Sequence, residues 1–169
     1  MEAPHTQPAS PPVSSRSYCF TTHWDIDAPI EQVWSLLANP QDWPQWWPGC
    51  EKVIRTKTPG RADSGPRYFF IWRGRLPHRL KIEMAIEKEE PLQCLAGAVT
   101  GELIGWAGWC LSETHTGTAV RFDFEVDGPK PWMRRLAPLT RSLFYWNHRQ
   151  IMEQGRIGLK QRLEGNPGE

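Results

Sequence analysis

The sequence predicts an α+β domain in which a curved antiparallel sheet of about seven strands wraps around a long C-terminal helix. Three observations lead there. Runs of period-two alternation follow one another with no helix between them, the pattern of an antiparallel sheet and not of βαβ units. A helical pattern over 131–163 closes the chain and exceeds the usual length of a globular helix. Ten tryptophans in 169 residues call for a large apolar interior.

The chain is long enough for one domain with a real core, and 39% of its residues are hydrophobic. A formal net charge of +1 supplies no field to recruit nucleic acid. No apolar run is long enough to span a bilayer, and the N-terminus lacks the apolar stretch of a signal peptide. Cys19, Cys50, Cys94 and Cys110 are scattered, with no redox or zinc spacing. Free thiols and a soluble, cytoplasmic protein are the expectation.

Residues 1–16 are rich in Pro and Ser and read as a disordered tail; 17–164 form the domain, and 165–169 a short C-terminal tail. The first strand is expected over 17–27, where Tyr18, Phe20, Thr22, Trp24 and Ile26 alternate with polar neighbours. Ala28-Pro29 opens a helix, with Asp27 placed to face its N-terminal dipole. Ile30, Val33, Trp34 and Leu37 give that helix one buried face, and Asn39-Pro40 ends it. Trp43 to Pro48 is too proline-broken for more than one helical turn, expected to lay its indoles over the end of the domain.

Further strands are expected over 51–58, 67–73, 79–88, 92–100, 102–113 and 119–127, separated by turn signals such as Pro59-Gly60, Leu76-Pro77 and Gly101. Gly97, Gly105 and Gly108 would permit the sheet to bend. In the closing helix Met133, Leu136, Leu143, Phe144, Ile151 and Leu159 share a face with Gly155 and Gly158. Pro138 is expected to kink or divide it.

That order of elements, with Ala28-Pro29-Ile30-Glu31-Gln32-Val33-Trp34 in the first helix, resembles the START/Bet v 1-like (SRPBCC) superfamily of helix-grip domains. Trp43 to Pro48, Gly117-Thr118-Ala119-Val120-Arg121-Phe122, and Trp146-Asn147-His148 with Gly155 and Leu159 resemble its polyketide cyclase/dehydrase-like group. The resemblance covers about residues 17–164 and implies the helix-grip fold. It also implies a hydrophobic guest such as a sterol, lipid, polyketide, hormone or quinone. Only some members catalyse a reaction, and the superfamily shares no catalytic motif to carry over.

Under that fold the concave wall is expected to comprise Tyr68, Phe70, Trp72, Leu80, Ile82, Met84, Trp109, Phe122 and Phe124, with Phe144 and Ile151 opposite. Asn147 and His148 are the polar exceptions beside the apolar face of the last helix. Two readings stand for them: they orient a ligand's oxygen, with His148 able to move a proton, or they satisfy backbone groups. His148 is the one candidate for catalysis. No nucleophile elbow, zinc-protease helix or dinucleotide fingerprint occurs, and the five histidines lack ligand spacing, so neither cofactor nor metal is expected.

Between Lys52 and Lys81 nine basic residues face a single acid, Asp63. Arg67, Arg73, Arg79 and Lys81 are expected on the convex side of the sheet, where the first reading is an ordinary solvated face and the second a docking surface for an acidic partner. The reading that follows is binding, transport or sequestration of a small hydrophobic molecule in an internal cavity. A polyketide cyclase/dehydratase-type enzyme and an interaction module using the basic face are the alternatives.

Overall fold

The alternating runs pair into one seven-stranded antiparallel sheet of order β1-β7-β6-β5-β4-β3-β2. The computed structural model describes residues 18–56, 65–128 and 131–165, the side chains of 131–139 excepted. Its elements are β1 (Tyr18–Ile26), α1 (Ile30–Leu37), a 3-10 turn (Pro40–Asp42), α2 (Trp43–Trp46), β2 (Cys50–Thr56), β3 (Arg67–Arg73), β4 (Arg79–Glu90), β5 (Cys94–Gly101), β6 (Ile104–Thr114), β7 (Gly117–Asp127) and α3 (Pro131–Glu164). The strands from β2 to β7 form a meander. β1 returns to pair with β7, Phe20 opposite Phe124 and Tyr18 opposite Val126. The expected tail over 1–16 and the Pro59-Gly60 turn with Arg61 and Asp63 lie outside the described residues.

Alternation decides which side of the sheet is covered. Phe20, Trp24, Phe70, Ile82, Met84, Val120 and Phe124 are buried on the face turned toward α3. The sheet bends where β4 gains a bulge between Ile86 and Lys88, opposite Gly97. A Cβ at Gly97 would strike the Ala85 carbonyl, so only glycine lets the strands approach there.

Four expectations need correction. The strand expected from 92 begins at Cys94, because Glu90 to Gln93 form a tight turn closed by Gln93 N–H to Glu90 O at 3.0 Å. Pro91 fixes its second position and Leu92 occupies the left-handed region with φ 62° at its third. Cys94 and Cys110 are not free thiols: they face one another across β5 and β6 and form a disulfide with Cα atoms 4.3 Å apart. They lie 16 positions apart in sequence, and only the hairpin register brings them together. Cys19 and Cys50 remain thiols, and burial pushes that of Cys50 up to about 12.

The closing helix is not divided at position 138. It runs unbroken for 34 residues, since one missing N–H leaves the bonds on either side in place. Leu143 is 45% exposed and belongs to the outer face, whereas Met152, one residue past Ile151, is buried. Trp132, Met133 and Leu136 fall outside the described side chains.

What holds α3 close is the absence of side chains at two positions. A Cβ at Gly155 would enter the Trp47 indole, and one at Gly158 would strike the Trp46 carbonyl. The α2 segment therefore lies directly on the helix and joins it to the sheet core.

Candidate functional site

The space between sheet and helix is not filled. An inner cavity of about 90 Å³ is walled by Phe70, Trp72, Leu80, Ile82, Met84, Trp109, Phe122 and Phe124 from the strands and by His148, Ile151 and Met152 from α3. Trp43, Trp47, Val99 and Ala107 complete it. An outer chamber of about 410 Å³ shares Leu80, Phe124, His148 and Ile151 with it. The chamber continues to Tyr18, Phe20, Val126, Phe144 and Asn147, with Leu76, His78, Glu102 and Leu103 at its rim. Together they form an apolar recess with a polar mouth, the composition of a small-molecule site.

Each strand supplies alternate residues, so the wall follows from period-two spacing alone. The expected residues converge on this recess with one exception. Tyr68 lies beside it, buried with its ring 6.4 Å from that of Phe70, and lines neither space. Sequence reasoning missed Trp43 and Trp47, placing them over the end of the domain. They instead pack inward: Trp43 stands 5.5 Å from Phe70 and 6.2 Å from Trp109, and Trp47 5.0 Å from Trp72. It also missed Tyr18 and Phe20, whose inward alternation was legible but whose pairing with β7 was not. Met152 was signalled by its spacing with His148, Gly155 and Leu159.

Asn147 has a structural duty. Its Oδ1 accepts the backbone N–H of Arg75 at 2.8 Å and of Leu76 at 3.3 Å, which pins the β3–β4 loop to the helix. A Cβ at Gly74 would collide with that same side chain. At the rim the Glu102 carboxylate meets His78 Nε2 at 3.1 and 3.2 Å and accepts the Lys81 N–H at 2.7 Å.

His148 differs from Asn147. Its ring stacks on Phe20 at 4.2 Å and lies nearly parallel to Phe122 and Phe124 at 6.2 and 5.9 Å. Its Nε2 is buried without a partner among the described residues. Burial lowers its pKa to about 4, so the imidazole is neutral at pH 7. A neutral imidazole held among phenyl rings can donate or accept one hydrogen bond, and its low basicity suits it poorly to holding a proton.

On the convex face Arg67 pairs with Glu83 at 3.0 Å, while Arg73 and Arg79 both reach Glu51 at 3.4 and 2.6 Å. Those acids flank the basic run rather than lying within it. The Arg79 guanidinium bonded to Glu51 holds that carboxyl below its ordinary range. Among the described residues no helix is long and apolar enough to cross a membrane.

Solved structures resemble this architecture at low identity. TTHA0849 from Thermus thermophilus superposes with TM-score 0.70 at 16% identity, covering 90% of this chain and 99% of that one. The Zhui aromatase/cyclase from a Streptomyces species gives 0.66 at 12%, covering 89% and 94%. A START superfamily protein from Mycobacterium smegmatis gives 0.58 at 14%, covering 88% and 97%. The chain spans about half the length of two di-domain ARO/CYC proteins it resembles, 50% of BexL and 52% of StfQ. Among curated proteins none matches the chain in sequence. A family profile described as polyketide cyclase / dehydrase and lipid transport matches residues 18–164. With nearly the whole described chain inside that match, the protein belongs to the polyketide cyclase / dehydrase and lipid transport family.

Proposed function

We propose that the protein binds a small hydrophobic molecule, of lipid, polyketide or quinone type, in the recess between its sheet and α3. The observation that carries this reading is the pair of adjoining spaces, about 90 and 410 Å³, walled mostly by aromatic and aliphatic side chains. Removing apolar ligand surface from water supplies roughly 25 cal/mol per Å², enough for useful affinity from a ring-sized guest. Trp43, Trp47, Trp72 and Trp109 border the inner space, so a guest should quench or shift their emission. Titration of a panel of flat lipid, polyketide and quinone compounds tests this. Saturable quenching by some of them supports the reading, and no response to any of them sinks it.

A second reading is a cyclase- or dehydratase-type enzyme. It rests on His148, the titratable side chain shared by both spaces, and on the aromatase/cyclase among the structural neighbours. In this reading the pocket orients an enol or carbonyl and excludes water while His148 hydrogen bonds the reacting oxygen. Single-turnover assays of His148→Ala on a polyketide-like substrate decide it: unchanged turnover removes His148 from the chemistry.

A further inference from the structure

The depth and polarity of the inner cavity are set by identifiable residues. Ala107 and Trp109 both face inward from β6, and Ala107 stands opposite Phe124 of β7. Where its neighbours bring rings, Ala107 brings one methyl group, buried against the cavity. Val99 of β5 is the next smallest lining residue. The bordering indoles do not swing in to fill the gap. Trp43 is held by its N–H to Leu36 O at 3.2 Å, and Trp47 by its N–H to Ile151 O at 2.9 Å. The space of about 90 Å³ therefore persists instead of collapsing.

Its walls expose carbon almost throughout, and no Asp, Glu, Lys or Arg is among the described residues that line it. A buried water needs two to four polar partners, so such a space stays dry. A polar or charged group entering it would lose its hydration with nothing in exchange. Size narrows the guest further. A dry cavity of about 150 Å³ holds one benzene ring. On that scale about 90 Å³ holds roughly three to four carbons. A ring is too large for it, and a short alkyl group is not. The outer chamber, about 410 Å³, has room for a ring body, and the two spaces share Leu80, Phe124, His148 and Ile151. Leu80 and Ile151 are half-buried aliphatic side chains with more than one rotamer open to them.

We propose that the inner cavity is a subsite for a short uncharged alkyl end, of about three to four carbons, on a ligand whose ring body sits in the outer chamber. Ala107 and Val99 set its depth. This rests on the binding function proposed above and gives its ligand a shape: a compact apolar body with a short aliphatic branch, which passes between the side chains common to both spaces.

A homologous series of para-alkylphenols, from phenol to hexylphenol, tests the proposal by calorimetry at pH 7 against the full chain. Each methylene buried in the cavity is expected to raise affinity about fourfold, and the gain should stop after propyl or butyl. Ala107→Val adds two carbons to the wall and should bring that break about two carbons earlier; Val99→Ala removes two and should delay it by about as much. Ala98→Val, next to Val99 but on the opposite face of β5, should leave the break in place. A gain that runs unbroken to hexyl, no gain between phenol and propylphenol, or a break that neither cavity variant moves overturns the subsite while the binding function stands. Failure of the whole series to bind also overturns the subsite, and it takes the binding function with it only if the lipid, polyketide and quinone panel fails as well.

Discussion

Trp47 donates its indole N–H to the carbonyl oxygen of Ile151 at 2.9 Å, across the point where Gly155 has no side chain. One tryptophan thereby joins three things: the wall of the inner cavity, the α2 segment and the backbone of α3. Gly155→Ala gains up to about 1 kcal/mol of helix propensity but forces a methyl into a rigid, buried indole. The expected net result is a destabilisation of about 1–2 kcal/mol. Trp47→Phe should cost more, about 2–4 kcal/mol, through the lost hydrogen bond and the void left behind. Urea unfolding followed by circular dichroism measures both, and a stabilised Gly155→Ala would refute the close approach.

Acid should weaken the fold through His148. Its folded value near 4 lies below the ordinary 6.5, so the native state favours the neutral ring. Between those values the unfolded chain takes up a proton that the folded chain refuses. The stabilisation is therefore complete above about pH 6.5, shrinks as pH falls toward 4, and is gone below it, on the order of 3 kcal/mol in all. Arg149 and Glu153 on its own helix, His23 on β1, and His78 and Glu102 across the chamber are the charged and titratable neighbours to hold constant. The check is the difference between wild type and His148→Phe in stability at pH 7 and pH 4.5; parallel pH profiles would contradict a buried neutral imidazole.

Reducing the Cys94–Cys110 bond should lower stability by at most about 3 kcal/mol, the loop-closure value for a loop of this size. Leu95 and Trp109, the residues just inside the bond, are paired across the same hairpin, and Trp109 lines the inner cavity. Thermal melts with and without dithiothreitol give the magnitude, with the Cys94→Ser and Cys110→Ser double variant as the control that should not respond.

Leu92 pays a local conformational cost at φ 62°, a region that glycine occupies freely. Leu92 is half-buried against the core, so part of its side chain is useful. Leu92→Asn is expected to change stability by less than about 1 kcal/mol despite losing that contact, because asparagine tolerates the left-handed turn. A loss of several kcal/mol in chemical denaturation would show that the contact dominates.

Much of the fold was legible because alternation and helical period act locally. Leu80, Ile82, Met84 and Ile86 declare an inward face with no knowledge of their partners. Long-range register is another matter. Whether Tyr18 and Phe20 join the cavity depends on β1 pairing with β7, far along the chain by the Tyr18–Val126 register, and no local pattern encodes it. The Cys94–Cys110 pair was hidden for the same reason, as was the inward turn of Trp47, which packs where Gly155, near the other end of the sequence, has no side chain. Asn147 and His148 stood out as a polar pair on an apolar helix. Only the folded structure separates them, one bonded to a loop and one left without a partner.

The Tyr145 hydroxyl donates to the Cys19 carbonyl at 2.9 Å, and β1 is an outermost strand. Unpaired main-chain groups along such a strand are a template on which stray chains polymerise. By laying a helical side chain over that border, the protein blunts one of its two adhesive margins. The other margin, β2, carries the exposed Lys52 and Arg55 beside Ile54, charges that deter an incoming strand by a second means.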